Sequence, residues 1–235
     1  TAERPRPVGG YTETILRMID VIFSAVALAD PNRAVAHAYG TINALSIAGY
    51  RTDESRKGQR WVMFSFFGGG HGGHSDGDGL SHGNAPISTA TIPPLEILEA
   101  AYPVRFTQWS LRPDSGGDGK HRGGLGAVYE IELLEKSAEV FIFGERGKAS
   151  PKGIAGGSNA LPNVFSYQHE GKWNKPPMAS KMLGIQLQKG ESVRLETPGG
   201  GGWGRPIDRD VVSRARDEAL GYVTKSKATS EKVKP

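Results

Sequence analysis

Between Thr12 and Leu28 apolar residues recur every three or four positions: Ile15, Ile19, Ile22 and Val26 form one stripe, with Leu16 and Phe23 beside it. Glu13, Arg17, Asp20 and Ser24 fall on the other face, where Glu13 and Arg17 stand four apart. This pattern predicts an amphipathic core helix with its apolar side inward. Asp30, Pro31 and Asn32 end it,. The small-residue run at 34–49 fits a short helix or a strand, and His37 within it reads as structural,. At 60–67 the sequence RWVMFSFF is apolar on both faces, as in a strand buried from both sides,. LEILEAA after Pro93 and Pro94 reads as a short helix, and VRFTQWSL at 104–111 as a strand,.

The second half alternates. Residues 127–134 and 139–143 read as strands joined through 135–138, a hairpin,. Leu183, Ile185 and Leu187 alternate with Gly184 and Gln186, and Val193 and Leu195 continue after Lys189 and Gly190, a second hairpin with one buried face,. A closing helix is expected over 207–222. The expected fold class is therefore α+β: one strand-rich unit with glycine-rich loops, a core N-terminal helix and a C-terminal helix.

Eight glycines, three histidines (His71, His74, His82) and two aspartates (Asp76, Asp78) crowd into residues 67–84, FGGGHGGHSDGDGLSHGN. Glycine at this density means backbone in conformations closed to other residues, or backbone approached closely. Histidines and carboxylates on such a loop are placed for polar chemistry on a scaffold. A second glycine loop, RPDSGGDGKHRGGLG at 112–126, adds Arg112, Asp114, Lys120, His121 and Arg122, groups able to grip a carboxylate or phosphate,. An Arg112–Asp114 pair that merely holds the loop is the competing reading. The third loop, TPGGGGWG at 197–204, has no ionisable group before Arg205 and reads as close backbone packing around Trp203.

The expected substrate-binding set is His71, His74, Asp76, Asp78, His82, Arg112 and His121, with no catalytic residue assigned. The string GGGHGG has neither the G-K-[ST] ending of a Walker loop nor the spacing of a dinucleotide loop. His71, His74, Asp76 and Asp78 are of the donor types that zinc or manganese takes. On a loop read as flexible, however, they lack the fixed geometry a metal centre needs.

Composition narrows the class. With 235 residues the chain can bury a core of its own, and 33 glycines with 15 prolines are in excess without reaching low complexity,. Four lysines against one glutamate at 224–235 carry +3 of the net charge of +4, so the body at 1–223 is nearly neutral and the tail is a basic, flexible end,. No nucleic-acid or membrane partner is expected. The absence of cysteine fits a reducing, cytoplasmic setting,. Thr1, a potential N-terminal nucleophile, is followed closely by Pro5 and Pro7, and TAERPRPVGG reads as the middle of something longer,.

Three phrases converge: GGGHGG with DGDG behind it, YPVRFTQWSLRPDSGGDGKHRGGLG, and LETPGGGGWG. In this order they resemble the C-terminal part of the hydantoinase B family, which includes N-methylhydantoinase, the matching half of 5-oxoprolinase, and subunits of ATP-dependent ketone carboxylases. The resemblance runs from about Arg4 to Tyr222. It implies the C-terminal half, split or processed, of the B-type subunit of an ATP-dependent cyclic-amide hydrolase, with a ketone carboxylase subunit or a non-catalytic scaffold as alternatives. It also implies partners: the N-terminal portion of hydantoinase B, a hydantoinase A-type subunit carrying ATP and Mg, and a small-molecule substrate. A divalent Zn or Mn would sit on the N-terminal portion, not on this chain.

Overall fold

The computed structural model describes Arg4 and residues 10–84 and 93–224. Thr1 and the basic tail past Thr224 lie outside the described residues. Nine strands are described: β1 Ala44–Tyr50, β2 Arg60–Phe66, β3 Val104–Leu111, β4 Ala127–Leu133, β5 Ser137–Phe143, β6 Val164–His169, β7 Lys172–Asn174, β8 Lys181–Gln188 and β9 Ser192–Glu196. They form two antiparallel sheets, ordered β2-β1-β5-β8 and β3-β4-β9-β6-β7. Leu45, Ile47, Met63, Val140 and Ile185 from the first share one core with Tyr129, Ile131, Phe165, Val193 and Leu195 from the second. A sandwich results, each large inward side chain contributing about 1.5–3 kcal/mol by burial. Helices α1 Ile15–Ala29, α2 Leu95–Ala101 and α3 Val211–Ala219 complete the α+β unit. No described helix is long and apolar enough to cross a membrane.

Both expected hairpins are crossovers between sheets. β4 pairs with β3 and β9, whereas β5 pairs with β1 and β8; likewise β8 and β9 lie in different sheets. The two crossovers run side by side, Lys189 N–H donating to the Lys136 carbonyl (3.1 Å) and Gly190 N–H to that of Leu133 (2.8 Å). Alternation fixes which side of a strand is buried and leaves its neighbour open, so facing the core from opposite sheets satisfies it as well as a hairpin does. Leu183 departs from its expected inward face and is 70% exposed. Gly184, at φ +70°, sits where the β5–β8 register shifts, a bulge that reverses the side-chain phase,. β6 and β7 occupy a stretch where no strand is predicted.

β2 is buried on one side only. Trp61 and Met63 enter the core while Val62, Phe64 and Phe66 face outward, with Phe64 and Phe66 in edge-to-face contact at 5.0 Å. The C-terminal helix is also shorter than expected: Pro206–Asp208 is a separate turn, and α3 begins after Asp210, whose carboxylate caps Ser213 N–H at 2.9 Å,.

The largest correction concerns α1, whose buried face is rotated from the expected one: Leu16 is buried and Ile19, Phe23 and Val26 half-buried, but the polar side is turned inward beside them. Ile15, Met18, Val21 and Ile22 are exposed, while Glu13 just ahead of the helix and Asp20 within it are buried. Its polar side meets the segment 36–41 and the end of β5. Glu13 accepts from Thr41 Oγ1 at 3.0 Å, Arg17 bonds the Gly40 carbonyl, Asp20 pairs with Arg146, and Ser24 Oγ lies 2.7 Å from His37 Nε2. Buried polar groups are tolerated where partners wait for them, and here the docking surface supplies a hydroxyl, a carbonyl, a guanidinium and an imidazole.

Candidate functional site

The three glycine loops interlock through their backbones. Gly124 N–H of the second donates to the His71 carbonyl of the first (2.8 Å), Gly200 N–H of the third to the Gly124 carbonyl (2.9 Å), and Gly70 N–H of the first to the Pro198 carbonyl (3.0 Å), closing a triangle. Gly117 N–H bonds Gly200, and Gly73 N–H bonds Gly201. A Cβ on Gly70, Gly124 or Gly200 would stand 1.9 Å from a carbonyl oxygen of a neighbouring loop. Glycine is therefore required by close approach, and the expected flexible loop is instead a rigid lattice whose buried amides are paired. Trp203 anchors it: His121 and Trp203 exchange backbone hydrogen bonds at 2.9 Å, and the indole N–H donates to the Pro31 carbonyl (3.0 Å).

On this lattice the expected site residues separate. His74 and Asp76 lie on the open side of the first loop, where Asp76 N–H donates to His74 Nδ1 (3.3 Å). His121 is half-buried within electrostatic reach of Asp78 and His74; burial holds its pKa below the usual histidine value. His71 turns toward α1, donating from Nε2 to the Asn84 carbonyl (2.5 Å) and lining a cavity of about 200 Å³ with Leu16, Phe23, Ala36 and Gly40. His82 is locked among aromatics, its Nε2 accepting from the Trp109 indole (3.1 Å) and lying 2.5 Å from the Tyr129 hydroxyl. That arrangement needs a neutral ring, and burial lowers the pKa accordingly,. Arg112 is buried and donates to the carbonyls of Pro162 (2.7 Å) and Thr197 (3.2 Å), with Glu196 as its ion-pair partner (3.2 Å).

Asp78 belongs to a closed ring of four charges that sequence reasoning missed. Arg209 grips it at 2.7 Å and also pairs with Asp217 at 2.7 Å; Asp217 meets Arg122 at 3.3 Å, and Arg122 lies 4.0 Å from Asp78. Burial would raise the Asp78 pKa, but Arg209 and Arg122 outweigh it and hold the carboxyl below its usual range. Its members Arg122, Arg209 and Asp217 line a pocket of about 450 Å³ between the second loop and α3, together with Asp118, Arg214 and Glu218. Arg122 stood out as a charged loop residue; Asp217, in a helix of ordinary charge pattern, gave no signal.

The donors do not fit a metal centre. Among the described residues no group of three or more His, Asp or Glu side chains could hold an ion. His71 and Asp78 already have partners of their own, the Asn84 carbonyl and the Arg209 guanidinium.

The geometry defines an antiparallel sandwich capped by a lattice of glycine loops that displays histidines and acids. The chain belongs to the hydantoinase B/oxoprolinase family, which it matches over residues 1–206. It is 34% identical over 236 residues to an uncharacterized protein of Methanocaldococcus jannaschii, covering 99% of this chain and 39% of that one. Over 205 residues it is 34% identical to 5-oxoprolinase of Dictyostelium discoideum, covering 84% of this chain and 14% of that one. Among solved structures, the ATP-dependent caprolactamase of Pseudomonas jessenii superposes with a TM-score of 0.70 at 27% identity, over 87% of this chain and 36% of that one. Acetone carboxylase without nucleotide shares the fold, with a TM-score of 0.68 at 21% identity over 92% of this chain and 32% of that one. The chain thus spans well under half the length of these relatives.

Proposed function

We propose that this chain is the C-terminal part of a hydantoinase B-type subunit in a multi-subunit, ATP-dependent hydrolase of cyclic amides, working in the cytoplasm. The observation that carries the reading is the family match, with the caprolactamase likeness at 27% identity pointing to lactam chemistry. A hydantoinase A-type partner supplies ATP and Mg, and a divalent Zn or Mn sits on the remaining portion of the B-type subunit. Here the lattice positions: His74, Asp76 and His121, with His71 behind them, face the substrate from a fixed backbone, while Asp78, His82 and Arg112 hold that backbone in place. Rigid placement of polar groups is what orienting a small ring requires.

The test is to purify the chain with its native partners and measure ATP hydrolysis with hydantoins, 5-oxoproline and caprolactam. A parallel arm uses ketones with bicarbonate. Turnover dependent on a cyclic amide is expected. Turnover only with ketone and bicarbonate would transfer the chain to a carboxylase, and ATP hydrolysis indifferent to either would leave it a scaffold.

A further inference from the structure

Helix α1 holds to the body by its polar groups and by Leu16, and presents a second apolar face to solvent. Ile15, Met18, Ile22, Ala25 and Ala29 stand three and four apart along that outer side and are exposed. Val21 and Leu28 flank the seam, 66% and 91% exposed. From Met18 to Ala29 the one charged residue is Asp20, and it points inward to Arg146. The outer face is thus a charge-free heptad seam about 22 Å long.

A seam of that period suits another helix. Side chains three and four apart interdigitate with those of a facing helix, and Ala25 and Ala29 leave room for close approach at one end. A strict three-four spacing is the narrower seam of helix pairing, whereas a helix laid on a sheet presents a broader apolar stripe. The bonds of Glu13, Arg17, Asp20 and Ser24 to the body fix the rotation of α1, so the apolar face cannot roll inward to find cover.

The lengths of the relatives indicate the occupant. The part matching this chain makes up 39% of the Methanocaldococcus jannaschii protein and 36% of the caprolactamase chain, so most of each lies outside it. A surface between parts of one polypeptide is obligate, and obligate surfaces resemble a core cut in half: apolar and poor in charge. The outer face of α1 has that composition. We infer that it is covered by an apolar α-helix of the remainder of the B-type subunit. The inference rests on the subunit reading given above and adds the surface through which the two parts join.

The chain lacks cysteine, so Val21→Cys introduces a single thiol. The tagged variant is purified with its native partners and treated with a maleimide, with Glu54→Cys and Lys172→Cys on exposed positions elsewhere as references. Shielding by a helix predicts labelling at least about tenfold slower than at either reference, because packed interface centres exclude solvent. A benzophenone carried on the same thiol is expected to join a helical segment of the remainder of the B-type subunit. Leu28→Cys repeats the measurement should Val21→Cys fail to fold. Labelling at the reference rate in an assembled complex overturns the inference, as does cross-linking to a second copy of this chain. Lactam hydrolysis by the same preparation tests the subunit reading separately: an active complex with an open thiol sinks the docking alone. An inactive preparation whose thiol is shielded and joined to a helix of that remainder leaves the docking standing while the activity reading falls.

Discussion

Both terminal nitrogens of Arg209 meet both carboxylate oxygens of Asp78, each at 2.7 Å, across 131 residues of sequence. A residue just past the last glycine loop therefore clamps the first. Arg209→Ala leaves Asp217, buried, and Asp78, about one-third exposed, with Arg122 alone to serve both. We expect a loss of roughly 2–4 kcal/mol in urea unfolding, below the full range for buried pairs because water reaches Asp78. Asp78→Asn should lower stability and turnover together; loss of turnover alone would make Asp78 a substrate ligand instead of a clamp.

Gly200→Ala tests the lattice itself. Its Cβ would stand 1.9 Å from the His71 carbonyl oxygen and 2.6 Å from Gly72 N, backbone atoms with nowhere to go. A loss above about 3 kcal/mol, or failure to fold, is expected. Gly171→Ala, at φ +72° with nothing within 4 Å, should cost only about 1 kcal/mol,. Similar losses at both sites would show that the loops are not interlocked.

His74→Ala and Asp76→Asn change side chains that carry no weight in the core. In the assembled complex they should reduce kcat with the melting temperature within about 2 °C of the parent. Unchanged turnover would remove them from the substrate-facing surface.

Phe64 and Phe66 lie on an edge strand whose outer face is uncovered among the described residues. The isolated chain should self-associate through that face. Phe64→Lys with Phe66→Thr should diminish that association in light scattering without unfolding the chain; undiminished association would place the sticky surface elsewhere.

Glu13 is held by Thr41 and the Ile42 backbone, near Glu145, Tyr39 and Arg17, and burial raises its pKa from 4.5 to about 7. The folded chain thus keeps a proton that the unfolded chain releases, so stability falls as pH rises from 4.5 through 7. Glu13→Gln, in the Phe64→Lys, Phe66→Thr background, should remove this slope and stabilise the chain at pH 8 by roughly 1–3 kcal/mol. Parallel pH profiles for parent and variant would contradict the burial.

Much of the fold is legible from period alone. β2, β3, β4 and α2 fall where apolar spacing puts them, and Trp203 anchors the third loop as its surroundings suggest. Period gives a face but not a direction. The α1 stripe was sound as a pattern, yet Thr41, His37 and Arg146 offered its polar side better partners than water, and no local signal announces them. The crossovers after β4 and β8 escape for the same reason: turn residues look alike whether the chain doubles back or changes sheet. At the site, the glycines announced close approach, while the partners of Asp78 lie too far along the chain to be seen.

The lattice also bears on how the molecule comes together. Its three strings are separated by tens of residues, and each glycine surrenders more conformational freedom than any other residue. The contacts they make are mostly backbone on backbone, with Leu125 and Trp203 among the few apolar side chains that draw them together. Such long-range closure comes after the contacts that shorten it, which here are the two sheets. The lattice should therefore be the last part to form and the first to open, a keystone set after the arch, with amides of Gly70, Gly124 and Gly200 exchanging their hydrogens ahead of those in β4 and β5.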